Sequence, residues 1–144
     1  NIITSLELRS EEMEVINLRI QKKYKEIEER EVRFEEYLLD DAEYAIVAFG
    51  SAARIAKKSI EIARSQGIKV GLLRPITLWP FPTKEVQKLA SKVNGILSLE
   101  INAGQMVEDI RLAVEGKVPV QHFGRLGGII PDPDEVVDAI KRLF

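Results

Sequence analysis

The chain has 144 residues, enough to bury a core by packing alone, and its 0 Cys and 1 His exclude disulfides, thiolate nucleophiles, cysteine-held clusters and multi-histidine metal sites. With 21 basic and 23 acidic residues the net charge is −2, a globular balance without the positive excess that nucleic-acid binding requires. No apolar run approaches the ~20 residues of a membrane span.

Charge is unevenly spread. Residues 1–43 carry 13 acidic and 7 basic side chains, the remainder 10 and 14. The chain opens on Asn1-Ile2-Ile3 without a methionine, which suggests a segment entered mid-sequence, the alternative being a processed or trimmed terminus. From Ser10, a candidate cap, Met13, Ile16, Ile20, Tyr24 and Ile27 recur every three or four residues. This predicts a helix of about twenty residues with a narrow apolar stripe that needs a partner outside itself.

Strands and helices then alternate. Glu31–Leu38 alternates in period two and reads as an edge strand, while Tyr44–Phe49 is continuously apolar, as a strand covered on both faces should be. Gly50-Ser51 turns into a helix with Ala52, Ile55, Ala56, Ile60 and Ala63 on one face, and Gly67 is placed to end it. Lys69–Leu73 is the next strand, Pro82 suits the first turn of a helix through Ala90, and Gly95–Ile101 contains another apolar strand. A helix over Gln105–Val114 and a short strand over Val118–His122 follow. The last helix starts with Asp132 as cap, Pro133 at its first position and Glu135 three residues on, a capping box. Buried strands each followed by a helix predict a three-layer α/β/α domain of five strands. The short link after Leu38 makes the first strand antiparallel.

In such a sheet chemistry gathers at the carboxyl ends of the strands, where five clusters fall. Gly50–Ala53 opens a helix that could hold an anion, but it lacks any phosphate-loop fingerprint and reads first as a tight turn with a serine cap. Arg74–Pro82 (RPITLWPFP) is a stiff segment with three prolines and the chain's single Trp. It is either a lid on the core or a surface for a partner, and Arg74 either binds an anion or pairs locally. Glu100–Met106 follows a buried strand. Asn102 and Gln105 there suit capping or binding, and Glu100 needs a partner such as Arg74. His122 reads as a satisfied structural histidine before a catalytic one, and Gly124–Gly128, with Arg125, as a plain connection. No cluster supplies a nucleophile, metal cage or cofactor fingerprint.

Several blocks together resemble a known family. Residues 40–82, 97–116 (LSLEINAGQMVEDIRLAVEG) and 122–133 (HFGRLGGIIPDP), with the lead-in QKKYKEIEEREVRFEEYL, are similar to the alpha subunit of 2-oxoacid:ferredoxin oxidoreductases, nearest the 2-oxoisovalerate type. The resemblance implies a fold like the transketolase C-terminal domain, with residues 1–31 a linking segment and 32–144 the domain. It implies a cytoplasmic, oligomeric complex that uses thiamine pyrophosphate, coenzyme A and iron–sulfur clusters to convert a 2-oxo acid into acyl-CoA while reducing ferredoxin. This stretch would itself bind no cofactor. Arg74, Trp79, Asn102, Gly104, Gln105, Met106 and Arg125 would lie at a domain or subunit contact near the active-site entrance. The rival reading is a stand-alone flavodoxin-like module holding an anion or nucleotide at Gly50–Ala53, and a third is a pure oligomerisation domain.

Overall fold

The computed structural model describes residues 6–143. The opening Asn1-Ile2-Ile3 and the final residue of the predicted 32–144 domain lie outside them. The elements are α1 (Ser10–Arg30), β1 (Phe34–Tyr37), β2 (Tyr44–Ala48), α2 (Gly50–Ser65), β3 (Val70–Pro75), α3 (Thr83–Ala90), β4 (Ile96–Glu100), α4 (Met106–Val114), β5 (Val120–Gly124) and α5 (Pro133–Lys141). One five-stranded sheet runs in the order β1-β3-β2-β4-β5. β1 is antiparallel to β3, and the other neighbours are parallel.

Side-chain alternation along the strands divides the core between two faces. Ile46 and Ala48 of β2, with Leu72, Leu97 and Leu99, pack under Ala52, Ala56, Ile60 and Ala63 of α2 and Val136, Val137 and Ile140 of α5. Ala45 and Val47, with Leu73 and Ile96, face Val86 and Leu89 of α3 and Met106 and Ile110 of α4. Both faces of β2 are therefore covered, which is why its sequence is apolar without alternation.

The helix ends follow local chemistry. α2 closes where Gly67 (φ +83°) donates to Arg64 O and Ile68 N to Ala63 O, both at 3.0 Å, a left-handed stop that glycine adopts without strain. α5 opens on the capping box: Asp134 N donates to Asp132 Oδ1 at 2.9 Å and Asp132 N to Glu135 Oε2 at 3.1 Å. Other starts differ from the sequence reading. Ser10 is the first helical residue and Arg9 the N-cap, without a side-chain cap bond. Pro82 is the N-cap of α3, its ψ of 57° lying outside the helical range. Phe49 caps α2, so Ser51 caps nothing. β5 runs two residues beyond its predicted end because its pairing with β4 continues to Gly124.

α1 buries none of its residues. Its ring contact with the sheet domain is Tyr24 against Trp79, edge to face with centroids 5.5 Å apart. Two tests follow. Tyr24→Ala should change the emission of the single Trp while lowering stability by no more than the ~0.5–1.5 kcal/mol of one aromatic pair. At Gly71 a Cβ would fall 2.5 Å from Leu38 O and 2.6 Å from Leu39 Cδ2. Gly71→Ala should therefore cost about 1–3 kcal/mol in denaturant unfolding, and unchanged stability would contradict this packing.

Candidate functional site

β2 has β3 on one side and β4 on the other, and the helices after β2 and β3 lie on opposite faces. The crevice beyond the carboxyl ends of β2 and β4 is thus where a ligand would bind in an open α/β sheet. Here the chain fills that place itself. Glu100, the last residue of β4, is 0% exposed, and its carboxylate sits on the N-terminus of α4. Gln105 N and Met106 N donate to Oε2 at 3.0 and 2.9 Å, and Val107 N and Ser98 Oγ donate to Oε1 at 3.0 and 2.8 Å. Three otherwise orphaned helix donors and a buried hydroxyl thus compensate one buried charge. Burial pushes the Glu100 carboxyl up, but the combined hydrogen bonds outweigh it and hold its pKa below the usual 4.5. Asp109, one turn into α4, moves the other way: burial, then the charges of Glu108 and Glu100, raise it.

The turn between β4 and α4 is drawn tight around this carboxylate. Asn102 Oδ1 accepts from Gly104 N at 2.7 Å. Gly104 has φ +105°, and a Cβ there would press on Val107 Cγ1 at 3.1 Å. From β5, Gly124 lies so close that a Cβ would meet Asn102 O at 2.4 Å and His122 Cε1 at 2.8 Å. His122 Nε2 is 3.9 Å from Glu100 Oε1, and is buried without a hydrogen-bond partner. The histidine is therefore not the fully satisfied one the sequence suggested.

Arg74 is not the partner of Glu100. It lies opposite Glu35 on β1, and its Nη1 donates to Glu35 Oε2 at 2.9 Å while Lys57 of α2 binds the other oxygen. The Lys57 bond first, then that of Arg74, lowers the Glu35 pKa. Arg74 Nε stays buried without a partner. Arg125 pairs with Glu135, the same side chain that closes the α5 capping box.

The Arg74–Pro82 segment is buried on one side and exposed on the other. Pro80 and Pro82 are buried, Phe81 packs on the α3 side of the core, and Ile76, Leu78 and Trp79 are exposed, Trp79 by 55%. Between this segment and the end of α1 runs a groove of about 750 Å³, lined in part by Phe34, Trp79, Phe81, Lys25 and Lys84. Asn102 and Gly104 are half-buried and the Gln105 side chain is exposed, whereas Met106 is a core residue, 4% exposed, that reaches the turn only through its backbone. Leu126, Ile129 and Ile130 stand exposed on the loop after β5. The sequence reading passed over them as a connection, although three aliphatic residues among glycines were the available signal.

Residues 42–136 match the pyruvate:ferredoxin oxidoreductase core domain II family. The chain belongs to this family. It is 46% identical, over 99% of its length, to subunit VorB of the ketoisovalerate oxidoreductase of Methanothermobacter thermautotrophicus, and covers 40% of that relative. In structure, this core domain II is similar to the 2-oxoglutarate:ferredoxin oxidoreductase from Magnetococcus marinus (TM-score 0.80, 19% identity, 95% of this chain and 24% of the other). It is also similar to a split-gene transketolase (TM-score 0.64, 15% identity, 76% and 41%). At such identities the likeness establishes the fold, the transketolase-like mixed sheet.

The Glu100 carboxylate makes a prediction with a definite sign. Its pKa is lowered in the fold, so its contribution is complete above the unfolded value near 4.5 and is lost as pH falls from there through the folded value. Glu100→Gln should cost about 1–3 kcal/mol at neutral pH and flatten the acid limb of stability measured by denaturant titration. An unaltered acid limb would contradict the assignment.

Proposed function

We propose that this core domain II is a non-catalytic part of a thiamine pyrophosphate-dependent 2-oxoacid:ferredoxin oxidoreductase. The whole complex would oxidatively decarboxylate a 2-oxo acid to acyl-CoA and reduce ferredoxin. The observation that carries this reading is the 46% identity to a ketoisovalerate oxidoreductase subunit across 99% of the chain.

The donor set agrees with a supporting role. An iron–sulfur cluster needs thiolates, and the chain has 0 Cys. The helix N-terminus at the crevice is taken by Glu100. In this reading thiamine pyrophosphate, the clusters and coenzyme A are held by other parts of the complex.

In this reading residues 1–31 link to a preceding domain and 32–144 form the assembly domain. Its rim meets other domains or subunits near the active-site entrance. Trp79, Asn102 and Gln105 would make direct contacts, while Arg74, Gly104, Met106 and Arg125 hold the backbone that presents them. The groups on that rim are exposed aromatic and aliphatic side chains with carboxamides between them, the kind that anchors protein interfaces. No helix of the described residues is long and apolar enough to cross a membrane, and we place the complex in the cytoplasm.

The purified chain, given a 2-oxo acid, coenzyme A and an electron acceptor, should show no turnover, whereas the full-length subunit with its partner subunits should. Turnover by the chain alone would overturn the proposal.

A further inference from the structure

His122 is the single histidine, and its two ring nitrogens occupy different surroundings. Nε2 is buried, lacks a hydrogen-bond partner and lies 3.9 Å from Glu100 Oε1. The ring is held there from two sides, because even a Cβ on Gly124 would come within 2.9 Å of Nε2 and one on Gly104 within 3.5 Å. Nδ1 makes no hydrogen bond with a described residue and is not among the buried nitrogens.

In a neutral imidazole one nitrogen carries the proton and the other a lone pair. A lone pair on Nε2 would face the Glu100 carboxylate across a region shut off from water, where repulsion is weakly screened. A proton on Nε2 turns the same contact into attraction. The surroundings therefore select the tautomer, and the tautomer fixes what the open nitrogen can do.

We infer that neutral His122 carries its proton on Nε2, toward Glu100, and presents Nδ1 at the rim as a hydrogen-bond acceptor for a donor on a neighbouring part of the assembly. The choice of tautomer depends on this chain alone, while the neighbour rests on the proposed function. Buried Glu100 thus acts beyond its own turn. It orients a side chain on the next strand so that the rim offers an acceptor at that point.

With a single histidine, a long-range proton–nitrogen correlation spectrum of the labelled chain, at a pH that leaves the ring neutral, contains one pair of ring nitrogens. The expected spectrum shows Nε2 protonated and Nδ1 with the deshielded signal of a free lone pair. The reverse assignment, or averaged signals from both tautomers, would overturn the inference whatever the chain's function. For the neighbour, His122→Phe in the full-length subunit should weaken association with its partner subunits by roughly two- to tenfold, the effect of one hydrogen bond. His122→Asn, which places an amide group near the position of Nδ1, should restore part of it. Undiminished association of His122→Phe would remove the neighbour and leave the tautomer standing. The spectrum uses the unmutated chain, so a variant that fails to fold does not affect it.

Discussion

A buried carboxylate on a helix N-terminus organises this domain's working edge. In open α/β sheets the crevice at the strand carboxyl ends is a place for phosphates and other anions, because helix donors there lack partners. Glu100 supplies the anion from within the chain. Four donors surround it at 2.8–3.0 Å, so the helix start at the crevice is occupied from within the chain and braces the turn that follows. The same charge faces His122 on β5 and, after burial and the charge of Glu108, adds to the raised pKa of Asp109 on α4.

Around this pin the rim carries exposed apolar and hydrogen-bonding groups, which the proposed assembly role would use. Two ion pairs stand toward its ends, Arg74 of β3 with Glu35 of β1 and Arg125, just after β5, with Glu135 of α5. Both are partly exposed and contribute little stability. The exposed apolar groups lie at both ends of the row of strand ends, and the hydrogen-bonding groups of Asn102, Gln105 and His122 lie between them. α1 presents a stripe that the described residues cover only in part, none of it fully buried. Such a surface suits a component of a larger enzyme, in keeping with membership of the core domain II family.

Much of the fold was legible because it rests on local rules. Continuous apolar runs marked β2 and β4, the short link after Leu38 required an antiparallel β1, and Asp132-Pro133 with Glu135 announced α5. What the sequence concealed were choices between competing partners. Arg74 has Glu35 directly opposite it in the β1–β3 register, and no periodicity specifies that. Glu100 was recognisable as a carboxylate in need of compensation, but three of its four donors are backbone groups five to seven residues on, which carry no side-chain signature. The close approach of Gly124, at the end of β5, to Asn102 O in the turn after β4 was equally invisible, since a glycine in sequence ordinarily signals only freedom.

Amide hydrogen exchange at Gln105, Met106 and Val107 tests the central claim most directly. First-turn helix amides usually lack partners and exchange readily. If Glu100 holds the rim, these three should exchange only as fast as the sheet core opens. Exchange at the rate of an ordinary exposed helix start would show that the carboxylate does not bind them, and the account of a preorganised docking edge would fail.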